Sequence, residues 1–140
     1  MKIKIIKVSK PSFSQMKELV DIYEKRLSSW VKVDSVILKK DEDFLLPSGS
    51  ILVCLDEHGI ELDSKTMASK IEKWNIDGRI KTVIFYIGGP YGISESILKQ
   101  AAECWSLSKL TFQGDLAWMI FWEQLYRSFC IINGTSYHHE

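Results

Sequence analysis

The stretch Thr82–Ser94, TVIFYIGGPYGIS, decides the fold. Its first half, TVIFYI, is a continuous run of β-branched, aliphatic and aromatic residues, short enough for a strand buried on both faces. The run passes directly into Gly88-Gly89-Pro90-Tyr91-Gly92. Three glycines in five residues open backbone angles closed to other residues and let a flat or anionic ligand approach the main chain. Ser94 can then cap a helix bearing Ile97, Leu98, Ala101 and Ala102. Strand, glycine turn and helix make the repeating unit of an α/β protein. The loop is not GxGxxG and no GK[ST] follows, so neither the dinucleotide nor the P-loop fingerprint is met. Taken alone, a plain strand-to-helix turn explains it equally well.

Working outward, the same alternation recurs. Upstream, Ile51–Leu55 reads as a second buried strand closing on a polar loop, Asp56-Glu57-His58-Gly59. Ser64–Trp74 sets Met67, Ile71 and Trp74 on one helical face, with a turn at Asp77-Gly78. Near the amino terminus, Lys2–Val8 alternates like a strand. A helix from about Ser14 carries Met16, Leu19, Val20, Tyr23, Leu27 and Trp30, and Val31–Leu38 forms another strand. The stretch KKDEDFLLPSGS that follows reads as a connection with at most one helical turn. Downstream, Ser106–Leu110 reads as a short strand, Leu116–Phe129 as a long helix and Ile131–Glu140 as a tail. Strands alternating with helices predict an α/β fold with a mostly parallel sheet, and its ligand crevice belongs at the carboxyl ends of the strands. Three loops qualify, those after Leu55, Ile87 and Leu110.

Bulk composition narrows the class. The chain has 140 residues, one domain's worth (1–140), with 46% hydrophobic and 26% charged residues, which is globular and not disordered. Eighteen basic residues balance eighteen acidic ones, so any nucleic-acid surface must be a local patch. Cys54, Cys104 and Cys130 are scattered and odd in number, with no CxxC pair. They read as buried thiols of a reducing compartment and not as a disulfide frame or zinc site. The opening MKIKIIKVSK is too short an apolar run for a signal peptide, and no stretch approaches a membrane span, so the expected address is the cytoplasm, with no membrane or metal partner.

Five strings in one order make the reading specific: LVCLDEHG (52–59), FYIGGPYGIS (85–94), WSLSKLTF (105–112), EQLYRSF (123–129) and the terminal YHHE. Here the chain resembles the RlmH (YbeA-like) family of SPOUT RNA methyltransferases, from first strand to last residue. The resemblance implies a SPOUT-type parallel sheet flanked by helices, with a C-terminal trefoil knot, and a homodimer. It implies transfer of a methyl group from S-adenosylmethionine (AdoMet) to N3 of a pseudouridine in large-subunit (23S) ribosomal RNA. It places cofactor contacts on Leu55, on Gly88, and on Leu107, Ser108, Lys109, Leu110, Thr111 and Phe112. Backbone groups of such loops can read the adenine edge while apolar side chains sandwich its ring. His138, in the string matching the family's terminal Tyr-His, is the expected catalytic residue, as base, orienting donor or RNA contact. Glu123 and Arg127, four apart on one helix, are expected to form a structural ion pair.

The chain also departs from that family. Family members carry a Pro-His pair and, a turn later, an Arg between Thr111 and Glu123; here the places read Gln113, Gly114 and Trp118. Where the family carries a basic residue after the terminal Tyr-His this chain has His139, and the connection after the second strand is shorter than in the family, without a helix. A proton acceptor and two cations are thereby missing from the expected RNA face. The alternative is therefore a diverged, non-catalytic SPOUT-fold dimer that binds RNA or ribosomes. Trp118 and Trp122 are expected in the core or at a dimer interface, ahead of base stacking.

Overall fold

A computed structural model describes residues 1–139; Glu140, the last residue of the YHHE string, lies outside the described residues. The elements in chain order are β1 (Lys2–Val8), α1 (Ser14–Leu27), β2 (Lys32–Leu38), β3 (Ser50–Glu61), α2 (Ser64–Ile76), β4 (Thr82–Ile87), α3 (Glu95–Leu98), β5 (Glu103–Ser106) and α4 (Gly114–Ile132). The strands form one sheet in the order β2-β1-β4-β3-β5, and every neighbouring pair is parallel. After β4 the chain crosses β3 and pairs on its far edge as β5.

Period-two alternation sorts the side chains onto two faces. Ile3 and Ile5 of β1, Val53 and Leu55 of β3, Val83, Phe85 and Ile87 of β4, and Trp105 of β5 face α1, α2 and α4. There they pack with Val20, Leu27, Met67, Ile71, Trp118, Phe121, Trp122 and Leu125. The opposite face carries Ile6, Val8, Leu52, Cys54, Ile84 and Tyr86, covered by Ile97 of α3 and by Phe44 and Leu46. No helix forms between β2 and β3. The connection holds its place through side chains instead. Asp41 accepts from the Tyr86 hydroxyl and the Ser94 backbone N–H, while Gln100 bonds the Leu46 N–H and the Phe44 carbonyl.

Four elements differ from the sequence expectations. Asp56–Gly59 belongs to β3, because β5 supplies a pairing edge across a bulge between Leu55 and Ile60 that no local polarity signal reveals. Helix α3 stops at Leu98, and Ala102 donates its N–H to the Leu52 carbonyl as the chain enters β5. That strand is Glu103–Ser106, leaving Leu107–Phe112 as a loop where a strand over Ser106–Leu110 was expected. The cap expected of Ser14 is absent. Phe13 occupies the N-cap position of α1 without a side-chain bond, and the orphan N–H groups of Ser12 and Phe13 go to Asp115 on α4.

Parallel register brings Cys54 beside Cys104 on the sheet face away from the long helices. Burial, reinforced by the Cys104 thiol, pushes Cys54 up to about 12, so it stays a thiol at neutral pH. No helix among the described residues is long and apolar enough to cross a membrane.

Candidate active site

The carboxyl ends of β1, β4 and β5 and the middle of β3 open into one cleft of about 520 Å³, within the usual range for a small-molecule site. Its walls are the turn after β1, the Leu55–Glu57 step of β3, the glycine loop, the Leu107–Phe112 loop and the first turn of α4.

The glycine loop is a tight turn: Gly92 donates its N–H to the Gly89 carbonyl at 3.0 Å. Gly92 has φ +79°, which favours glycine. Gly88 is required by close approach: a Cβ there would lie 2.6 Å from Ile93 Cγ1 and 2.9 Å from the Gly92 carbonyl oxygen. Replacing Gly88 with Ala should therefore push the loop into the cleft. We expect the loss of at least about tenfold in affinity for AdoMet, the cofactor that the resemblance implies, with a smaller effect on thermal stability, measured by calorimetric titration and thermal melting. Undiminished affinity would refute this account of the loop.

The Leu107–Phe112 loop is shaped by its own side chains. Ser106 Oγ donates to the Ser108 carbonyl at 2.8 Å, and Ser108 Oγ accepts from the Leu110 N–H at 3.0 Å. Thr111 Oγ1 reaches Glu57 Oε2 at 2.7 Å, tying the loop to β3. Seven of the eight residues expected at the cofactor line the cleft together: Leu55, Gly88, Leu107, Ser108, Leu110, Thr111 and Phe112. Lys109 does not line it, because its side chain is 90% exposed and turns toward Glu61 at 4.0 Å.

His138 stands elsewhere. It is not among the cleft-lining residues but docks on the carboxyl-terminal half of α4, where Arg127 Nη1 lies 3.1 Å from its Nδ1. Arginine has no acceptor, so Nδ1 accepts and the proton of the neutral ring sits on Nε2. Arg127 is fixed by Glu123 through two bonds, one of 2.7 Å from Nη2. Tyr137 donates its hydroxyl to the same carboxylate at 2.8 Å, and its ring lies under the Arg127 guanidinium at 4.8 Å. Burial first, then hydrogen bonds with Tyr23 and Glu123, raise the Tyr137 phenol above its ordinary range, so it remains a donor. Glu123 and Arg127 thus form the structural pair that the spacing predicts, and the pair also seats the histidine.

The departures from the family also acquire places. Gln113 caps α4, its side chain accepting from the N–H groups of Asp115 and Leu116 at 2.9 and 3.2 Å. Trp118 and Trp122 are fully buried in the core and present no stacking surface.

The sequence reading missed two charged groups in the cleft wall, Lys7 and Asp115, which are buried and 3.5 Å apart. The signal for Lys7 was available, since Ile3, Ile5 and Lys7 share one face of β1 and a lysine on an apolar face is the anomaly. Asp56 and Glu57 also line the cleft. Among the described residues no group of His, Cys, Asp and Glu is placed to hold a metal ion.

Comparison with known proteins accords with this geometry. A family model described as "Predicted SPOUT methyltransferase" matches residues 1–138. A protein of Flavobacterium johnsoniae named ribosomal RNA large subunit methyltransferase H is 35% identical, with all of both chains covered. A protein of the same name from Acetivibrio thermocellus is 36% identical over 99% of each chain. Another from Bacteroides fragilis reaches 44% over 68% of this chain and 60% of its own. Among solved structures, a probable methylase family protein from Haemophilus influenzae covers 99% of this chain and 70% of that one. Its TM-score is 0.60 at 10% identity, a likeness of fold alone. A match along nearly the whole chain, with relatives of one name from end to end, means that the chain belongs to the SPOUT methyltransferase family.

Proposed function

We propose that this protein is an AdoMet-dependent methyltransferase acting on N3 of a pseudouridine in large-subunit (23S) ribosomal RNA, working as a cytoplasmic homodimer. The observation that carries the reading is the convergence of Leu55, Gly88 and the Leu107–Phe112 loop on one cleft of about 520 Å³ at the strand ends. Relatives covering the whole chain bear the name of a large-subunit ribosomal RNA methyltransferase.

The residues of the cleft fit AdoMet. Leu55, Ile87, Leu107 and Phe112 offer apolar walls for an adenine ring, and the carboxylates of Asp56 and Glu57 suit a ligand carrying sulfonium and ammonium charges. When bound, AdoMet supplies an electrophilic methyl group on a good leaving sulfur. The protein's task is then alignment, exclusion of water and control of the N3 proton. His138 is seated by Arg127 outside its own cleft, so it serves the cleft of a second copy. Exposed Leu19 and Ile22 on α1 and Leu116 on α4 supply apolar surface for that copy. His138 would act near the target base as a base, an orienting donor or an RNA contact. Lys10 stands at the cleft, and the fully exposed Tyr91 sits in the glycine loop between lining residues Pro90 and Gly92, where an RNA strand can meet a cation or an aromatic ring. The reading includes the trefoil knot that the resemblance implies.

The alternative, a non-catalytic RNA- or ribosome-binding dimer, draws on Gln113 serving as a helix cap and Trp118 as core. Incubation with labelled AdoMet and ribosomes lacking the modification separates the two. Label recovered in the pseudouridine of large-subunit RNA supports the enzyme; saturable AdoMet binding without transfer supports the alternative.

A further inference from the structure

Lys7 and Asp115 bury two charges in the wall of the cleft. Lys7 is 4% exposed; its Nζ donates to the Ser9 carbonyl at 2.9 Å, lies 3.5 Å from Asp115 Oδ1, and sits 5.8 Å from the Trp118 ring centroid. Asp115 is 2% exposed, and its Oδ2 accepts the backbone N–H groups of Ser12 and Phe13 at 2.7 and 2.8 Å. These bonds join the turn after β1 to the start of α4, about a hundred residues later. Between them Ser9 holds φ +79°, the only left-handed non-glycine among the described residues. The same serine abuts the glycine loop: a Cβ on Gly89 would meet Ser9 Oγ at 3.0 Å and Val8 Cγ1 at 3.1 Å.

A buried ion pair is a weak source of net stability, because desolvation of both charges consumes most of the attraction. Two apolar side chains would fill the same volume at little cost. What they could not do is accept the Ser12 and Phe13 N–H groups and hold Ser9 in its left-handed turn. We propose that Lys7 and Asp115 are positioning residues that set the width of the cleft, locking the Ser9–Phe13 turn to α4 and bracing it against the glycine loop. This rests on the cleft being the AdoMet site.

The double variant Lys7→Met/Asp115→Leu tests the proposal, with Lys7→Arg as the conservative control. With the exposed Ser12 and Phe13 N–H groups released to water, the double variant should stay folded with a lowered melting temperature, bind AdoMet at least about tenfold more weakly, and raise the KM for AdoMet more than it lowers the saturated rate. Lys7→Arg should keep most of the affinity. Equal affinity in the double variant and the unaltered protein would overturn the proposal while leaving the cofactor reading standing. If the unaltered protein binds no AdoMet, the reading and the proposal fall together. Hydrogen exchange on the unaltered protein gives an answer even if the double variant fails to fold. The Ser12 and Phe13 amides should exchange slowly and be slowed at least about fivefold further by AdoMet. Fast exchange indifferent to AdoMet would overturn the proposal.

Discussion

Replacing Trp122 with Ala should cost about 3–5 kcal/mol of stability, a fall in melting temperature of about 10–15 °C at fixed protein concentration. The side chain is fully buried among the helices and the sheet, so its removal leaves a cavity that the surrounding rings cannot close. Trp122→Phe should behave differently. The indole N–H of Trp122 is buried with no partner among the described residues, as is that of Trp118. An unpaired buried donor costs about 1–3 kcal/mol, and phenylalanine removes the donor along with part of the ring volume. The two changes oppose each other, and the net loss should be about 1 kcal/mol. Thermal melts of both variants decide the matter. Similar losses for Ala and Phe would mean that the N–H finds a partner, and that its loss dominates the cavity term.

That contrast shows why the core was legible in the sequence and the cleft only partly so. Helix and strand periods report which face is apolar, so α1, α2, α4, β1 and β4 follow from spacing alone. Spacing cannot report which edge a strand finds. The extension of β3 through Asp56–Gly59 depends on β5, more than forty residues later, and the polar residues there read as a loop. Ser106–Leu110 failed in the opposite sense: it read as a strand, whereas Leu107 and Leu110 belong to a loop that lines a cleft. Seven of the eight contacts expected from the resemblance sit on one cleft, since they follow residue for residue from short strings, while Lys109 turns away to solvent. His138 lies off that cleft because a string carries no distance. The strand pattern could have flagged Lys7, but not its partner: the two ends of Lys7–Asp115 lie in the first strand and the last helix, and only the packed sheet brings them together.

Replacing Gly59 with Ala should uncouple β3 from β5 and abolish cofactor binding. A Cβ at this position would lie 2.6 Å from both the carbonyl carbon and the carbonyl oxygen of Cys104 and 2.8 Å from the carbonyl carbon of Trp105. All three are backbone atoms, so no side-chain rotation relieves the clash and one strand must move. The bulge leaves the least room here, where pairing resumes as Ile60 with Trp105 and Glu61 with Ser106. A shift of β5 carries three features with it: the Trp105 stack on Trp74 at 5.8 Å between ring centroids, the Glu103–Lys70 pair at 3.1 Å, and the start of the Leu107–Phe112 loop. Overpacking of this kind costs about 1–3 kcal/mol, and more where only backbone can yield. The expected result is a folded protein with reduced melting temperature, altered near-ultraviolet dichroism from the displaced tryptophans, and no measurable AdoMet binding. The same substitution at Gly78, where a Cβ meets nothing within 4 Å, should leave binding intact and serves as the control. If Gly59→Ala binds AdoMet as the unaltered protein does, the β3–β5 pairing is not what holds the Leu107–Phe112 loop in place.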